Sequence, residues 1–336
     1  MIASVGLLAA SAAGIAACQG SSFSSGPTAA EDAGSPSRDT GTNQSDDDSG
    51  SQTIEGEDAA SAIEDAGSNT VRCNPATPFG APTRVAGLPE AAVGFRLSPN
   101  ELSGFFHVDS QATPLIFRIT RNNRLDNFEP SSVKTVTIQQ PALQADASAP
   151  YFYYATVTNN ESRMYVMSDY SIYVATRVSD GVYGQLTKLL TANSPAYSFY
   201  TIPYATPADD ALYFSTVLFA SGTNHVITVN GSSVSSQVPV DLGTKDGNRA
   251  LVVTADGTLA YFSSWRELDG ATFYQVWTAS RTSTAVPFTN LQPVVELRDL
   301  TSNNDPTYIS NDGCRLYFQS NRKGSMNTYL AERSPL

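Results

Sequence analysis

Between Ser98 and Phe318 the chain repeats one pattern of polar and apolar positions. A Ser or Thr is followed by three or four turn formers and then by a short apolar stretch, aromatic at its eighth position and Phe or Val at its ninth. The copies read SPNELSGFFHV from Ser98, TNNESRMYVMS from Thr158, TPADDALYFST from Thr206, TADGTLAYFSS from Thr254 and SNDGCRLYFQS from Ser310. Their eighth positions are Phe105, Tyr165, Tyr213, Tyr261 and Tyr317, and their ninth are Phe106, Val166, Phe214, Phe262 and Phe318. Short apolar stretches bounded by turn formers predict strands, and self-similarity at a fixed spacing predicts a repeat architecture.

Each copy follows a short apolar strand (FRL, FYYATV, TIPYA, RALVV, PTYI) and is followed by a third one: LIFRITR (115–121), IYVATR (172–177), HVITVN (225–230), VWTASR (276–281) and TYLAER (328–333). A fourth appears before the next copy, as VKTVTI (133–138), QLTKLL (185–190), SSQVPVDL (235–242) and QPVVEL (292–297). Four antiparallel strands repeated at about fifty residues make a propeller blade. The copies start 60, 48, 48 and 56 residues apart, gaps too small to hide another unit, so five blades are expected, with six as the alternative. The fifth copy lacks a fourth strand, and PFGAPTRVAGL (78–88), which matches the VPFTNLQPVVEL that follows copy four, is expected to supply it and close the ring. Closure removes a sheet edge that would otherwise invite aggregation.

The first eighteen residues, MIASVGLLAASAAGIAAC, are an apolar run too short to span a membrane and fit the core of a secretory signal. They resemble a bacterial lipoprotein signal, which implies lipidation at Cys18. No Lys or Arg precedes the run, which a start further upstream would explain. Residues 19–71 are Ser, Gly, Ala, Thr, Asp and Glu with almost no large apolar side chain, so they are expected to form a disordered tether. Eleven Asp or Glu against a single Arg38 give this segment −10 of the total charge of −12. The remaining residues, 72–336, form the expected propeller and carry no strongly basic field, which excludes nucleic-acid binding. The membrane is reached through the lipid only, and the body is expected to be a monomer. Cys73 lies just before the closing strand and Cys314 in the last hairpin, and in an oxidising compartment the two are expected to be bridged.

No phosphate loop, nucleophile elbow or paired-cysteine metal motif is present, and no cofactor or metal is implied. The turns Asp256-Gly257 and Asp312-Gly313 read as structural, because Gly supplies the positive φ of a tight turn and Asp bonds its own following backbone. A glycosidase needs converging carboxylates, and the innermost strands read without Asp or Glu, Asp305 falling just outside the last. Loops joining second to third strands (108–114, 168–171, 215–224, 264–273, 320–327) are expected on one rim, with Trp265, Arg266, Asp269, Asn321, Arg322 and Lys323 as candidates for partner binding.

The run from Ser310 to Gly324, Ser-x-Asp-Gly and then Leu-Tyr-Phe-x-Ser-Asn-Arg-x-Gly, resembles the repeat of TolB-like propellers, found in periplasmic and surface proteins of Gram-negative bacteria. Copies four and five are close to it and copies one to three are degraded, with Asn100-Glu101 and Asn160-Glu161 in place of Asp-Gly. The resemblance implies a protein-binding scaffold without chemistry of its own, and the family's own propeller has six blades. The expected function is therefore that of a lipid-anchored envelope module, at the outer membrane and facing periplasm or surface, that binds an envelope protein or glycan. The alternative is a carbohydrate-binding or glycan-hydrolysing propeller.

Overall fold

The computed structural model describes residues 73–90, 92–108, 115–139, 152–168, 171–190, 199–218, 221–230, 233–242, 247–266 and 273–336. Its strands, numbered in chain order, fall into five sheets. The first blade is β2 (Ala92–Leu97), β3 (Ser103–Val108), β4 (Phe117–Thr120) and β5 (Lys134–Thr135). The second is β7 (Tyr153–Val157), β8 (Arg163–Ser168), β9 (Ser171–Ser179) and β11 (Thr187–Leu190). A short β10 (Val182–Tyr183) folds back on β9 and takes β6 (Thr137–Ile138) in parallel. The third is β12 (Phe199–Ala205), β13 (Ala211–Leu218) and β14 (Ser221–Asn230), with β15 (Ser233–Val234) and β16 (Val238–Pro239) on the outer side of β14. The fourth is β17 (Asn248–Val253), β18 (Leu259–Ser264), β19 (Gln275–Ser280) and β20 (Thr289–Pro293). The fifth is β21 (Asn304–Ile309), β22 (Arg315–Lys323), β23 (Ser325–Glu332) and, outermost, β1 (Thr83–Arg84). The inner strands β2, β7, β12, β17 and β21 neighbour one another in that order, and β21 returns to β2. The fold is a five-bladed β-propeller.

The seam closes as the sequence implies. β1 pairs antiparallel with β23, Phe79 bridges to Arg333, and Cys73 is bonded to Cys314 across 241 residues of chain. Gly87 adopts φ +86°, and a Cβ there would stand 2.0 Å from the Phe128 carbonyl oxygen of blade one, so this turn demands glycine. Three outer strands differ from expectation, that of blade three, expected over 235–242, being split into β15 and β16. The 133–138 segment divides around buried Val136, with Lys134–Thr135 staying on blade one and Thr137–Ile138 crossing to blade two. In blade four the strand is 289–293, and Val295–Leu297 forms a 3-10 turn.

The repeated positions have distinct physical jobs. The leading Ser or Thr closes its turn: its hydroxyl accepts from the N–H five residues on, at 3.1 Å for Ser98, 3.2 Å for Thr158, 3.1 Å for Thr206, 3.2 Å for Thr254 and 2.8 Å for Ser310. The eighth and ninth side chains, on opposite faces of each second strand, are all buried, because each blade is sandwiched between two others. Where the eighth residue is Tyr, its hydroxyl reaches the next blade: Tyr165 donates to Asp209 at 2.6 Å, and Tyr213, Tyr261 and Tyr317 accept from Arg281, Arg333 and Arg121 at 3.1, 2.8 and 3.4 Å. At the one junction that starts from a Phe, Phe105, Arg118 of blade one pairs with Glu161 of blade two at 3.0 Å.

The three arginines that meet these hydroxyls form a recurring clamp at the end of the third strand. Arg121, Arg281 and Arg333 lie over Phe128, Phe288 and Phe79, with the guanidinium carbon 4.6, 4.2 and 4.0 Å from the ring centre. Each also donates to its own blade's turn, at the carbonyls of Glu101, Gly257 and Gly313. Phe79, from the closing strand, thus does for blade five what Phe288 does for blade four.

Candidate functional site at the channel mouth

The inner strands begin, and the second strands end, on one face of the ring, as the pairs Ala92 with Val108, Asn248 with Ser264 and Asn304 with Ser320 require. Every inner strand carries a register shift near its start. Four of them hold a residue at positive φ four positions before the leading Ser or Thr: Gly94 (67°), Tyr154 (46°), Ile202 (54°) and Ala250 (56°). The fifth has Pro306 there, whose ring forbids that conformation. Left-handed Tyr and Ile cost on the order of 1–3 kcal/mol each and persist only where packing over-determines them. Such bulges re-aim the side chains that precede them.

Among those side chains are Tyr153, Arg249 and Asp305, at equivalent positions in blades two, four and five. Arg249 donates to both oxygens of Asp305, at 2.9 and 2.8 Å, and Ser263 donates to the first at 2.6 Å. The Arg249 guanidinium lies 3.7 Å from the centre of the Tyr274 ring, and the Trp265 ring packs at a tilt against Tyr274 with the centroids 5.5 Å apart. The carboxylate of Asp305 keeps the Arg249 pKa above its ordinary value although burial alone would lower it. Across the mouth, buried His107 meets Tyr153 and Tyr154 edge-on, at 5.4 and 5.2 Å. Asp305 therefore lies inside its inner strand, not just outside it: β21 starts at Asn304, because Asn304 and Asp305 pair with Ser320 and Gln319.

The rim candidates separate on inspection. Trp265 is 42 % exposed. Arg266 lies over Phe262 and Trp277 and donates to the Leu242 carbonyl, while Arg322, its equivalent in blade five, lies over Phe318 and Tyr329 and donates to Leu297 and Asn304. Both guanidiniums brace their own blade against the connection entering it. Asn321 accepts from the Asn303 backbone at 2.8 Å, and Lys323 is exposed. Residues 320–323 and 325–327 lie on strands, since β22 and β23 run on to a turn at Gly324 (φ 95°), and the 215–224 stretch is likewise mostly hairpin. Asp269 and Cys18 lie outside the described residues.

Both Asp-Gly turns are bonded within themselves. Asp256 accepts from Thr254 and Thr258, and Asp312 from Ser310 and the Cys314 N–H, with Gly257 and Gly313 at φ 67° and 70°. The other three copies keep this conformation without glycine: Glu101, Glu161 and Asp209 sit at φ 62°, 56° and 59°. Each carboxylate reaches an arginine of the preceding blade: Glu101 binds Arg315 at 2.7 Å, Glu161 binds Arg118 at 3.0 Å and Asp209 binds Arg163 at 2.9 Å. What reads as decay of the repeat is a second kind of strap between blades, and the signal for it is an arginine five residues after the leading Ser or Thr in copies two and five.

Among the described residues, no three His, Cys, Asp or Glu are placed to hold a metal, and no helix is long and apolar enough to cross a membrane. No family model and no curated protein matches the sequence. Similar solved structures include TolB from Acinetobacter baumannii, 15% identical over 79% of this chain and 63% of that one with a TM-score of 0.44. A TolB structure from Agrobacterium tumefaciens is 13% identical over 71% and 76%, with a TM-score of 0.44. The periplasmic gluconolactonase of Pseudomonas aeruginosa is 14% identical over 70% and 70%, with a TM-score of 0.41. Likeness at this level adds no argument of its own; it is the closed ring of five sheets, tied through Cys73 and Cys314, that makes the chain a five-bladed β-propeller.

Proposed function

We propose that this protein is a binding module of the cell envelope, held by a lipid on Cys18 and an acidic tether of residues 19–71, and that its recognition face is the channel mouth with the adjoining hairpins. The observation that carries the reading is the state of Asp305. Both its oxygens are occupied by Arg249 and Ser263, so the carboxylate is committed to holding blades four and five together. Around it the mouth offers ring faces and amides, the chemistry of recognition. The partner is an envelope protein or glycan. Glycan binding without cleavage is the second reading, favoured by the exposed Trp265 ring set at a tilt beside Tyr274.

Crosslinking pull-down from intact cells, comparing wild type with Trp265→Ala, tests the face. Loss of one specific partner with unchanged stability supports it, and equal capture refutes it. Turnover of a glycan panel by the wild type, abolished by Asp305→Asn in a folded variant, would instead establish catalysis.

A further inference from the structure

Arg96 stands apart from the other buried cations. Arg118, Arg121, Arg249 and Arg315 each have a carboxylate within 3.6 Å. Arg96, on β2, is 1 % exposed, and among the described residues no carboxylate pairs with it. Its guanidinium reaches across the ring. One terminal N–H donates to the Thr307 carbonyl on β21, the other approaches the Ile202 carbonyl on β12 at 3.5 Å, and the Tyr204 ring centre is 5.4 Å away. Burial pulls its pKa down to about 10, and the groups that oppose this are only the phenols of Tyr204 and Tyr154.

Among the described residues the Nε–H of Arg96 has no acceptor; several neutral donors of blade five share that condition, and two of them lie beside groups already named. These are Thr307 Oγ1, on the residue whose carbonyl Arg96 holds, and Gln319 Nε2, on the residue opposite Asp305. A buried donor without an acceptor costs about 1–3 kcal/mol, and a charged one more. Water would satisfy the hydroxyl and the amide. A cation removed from solvent with no counter-charge stays costly, and an anion beside it would offset that cost. Tyr154 acts electrostatically on both Arg96 and Arg249.

We propose that the channel binds a compact monovalent anion, chloride or a carboxylate, at Arg96, with Thr307 and Gln319 as its neutral partners. The site stands whether or not the mouth is the recognition face. The test is thermal unfolding of the wild-type protein at constant ionic strength with chloride, acetate, N-acetylglycine or a bulky sulfonate as the anion, together with the chlorine NMR linewidth. Chloride and acetate should give a saturating rise in Tm of about 2–4 °C over the sulfonate, and protein should broaden the chlorine signal until acetate displaces it. Competition by N-acetylglycine would identify the carboxylate of a larger ligand as an occupant, and its failure would restrict the site to free ions. Arg96→Met should abolish both effects. Equal Tm in all four anions with no broadening by the wild type overturns the proposal, and this holds even if the variant does not fold.

Discussion

Arg249 and Asp305 occupy the same position in successive blades and bind each other through two hydrogen bonds of 2.9 and 2.8 Å. Asp305→Asn leaves the guanidinium without its counter-charge at a site where Arg249 keeps 26% of its side chain exposed. The expected loss is about 2 kcal/mol, less than the roughly 3–5 kcal/mol of a fully buried pair. Urea denaturation should show a lower midpoint at unchanged slope.

Cys73→Ser with Cys314→Ser removes a cross-link that spans 241 residues of the chain. In the chain-entropy account this is worth about 5 kcal/mol at most. Because Phe79, Arg333 and Tyr261 also hold the seam, the variant should still fold, with a clearly lower Tm by circular dichroism.

Glu101→Gln strands two buried arginines, Arg315 and Arg121, at once. A cost of about 3 kcal/mol is expected. Asp256→Asn, at a carboxylate that among the described residues accepts from Thr254 and Thr258 of its own turn, should cost about 1 kcal/mol or less. Equal losses measured by chemical denaturation would show that the strap between blades contributes nothing beyond turn formation.

Arg266→Ala should lower stability without touching recognition, since the guanidinium covers Phe262 and Trp277. Trp265→Ala should do the reverse. The two variants separate bracing from binding when Tm and partner capture are measured side by side.

Burial raises the pKa of Tyr165, Tyr183, Tyr204, Tyr261 and Tyr308, and takes Tyr317 up to about 12. A folded pKa above the unfolded value of about 10 means that stability is fully present below pH 10 and is lost as pH rises through the folded value. Arg96, pulled down to about 10, and Arg322, also lowered by burial, act in the opposite sense, but six phenols outweigh two guanidiniums. Stability should therefore fall above about pH 10, and phenolate absorbance should show the buried tyrosines titrating only as the protein unfolds.

Much of the architecture was legible because it is written locally. The aromatic at the eighth position and its apolar neighbour mark the doubly buried second strand, and counting them yields five blades where the TolB-like resemblance implies six. Cys73 and Cys314 could be matched because both flank the blade that lacks a strand. The mouth was harder to read. Asp305 falls before a short apolar strand, and only its pairing with Gln319 brings it inside. Arg266 and Arg322 look like rim residues until the rings beneath them are seen. Glu101, Glu161 and Asp209 read as lost glycines, because their partners belong to another copy of the repeat. A periodic pattern records what each unit shares, and says little about contacts that cross from one unit to the next.

The outer strand of blade five, β1, comes from residues 83–84 and its partner β23 from residues 325–332. Blades one to four can each assemble from contiguous chain, in order of synthesis, but the fifth waits for both ends to meet. Until then β1 has nothing to pair with, Cys73 has no thiol to oxidise against, and the ring stands open beside β2. Closure is thus the last and most non-local event of assembly, and the interval before it is when the chain is most exposed to mispairing and proteolysis.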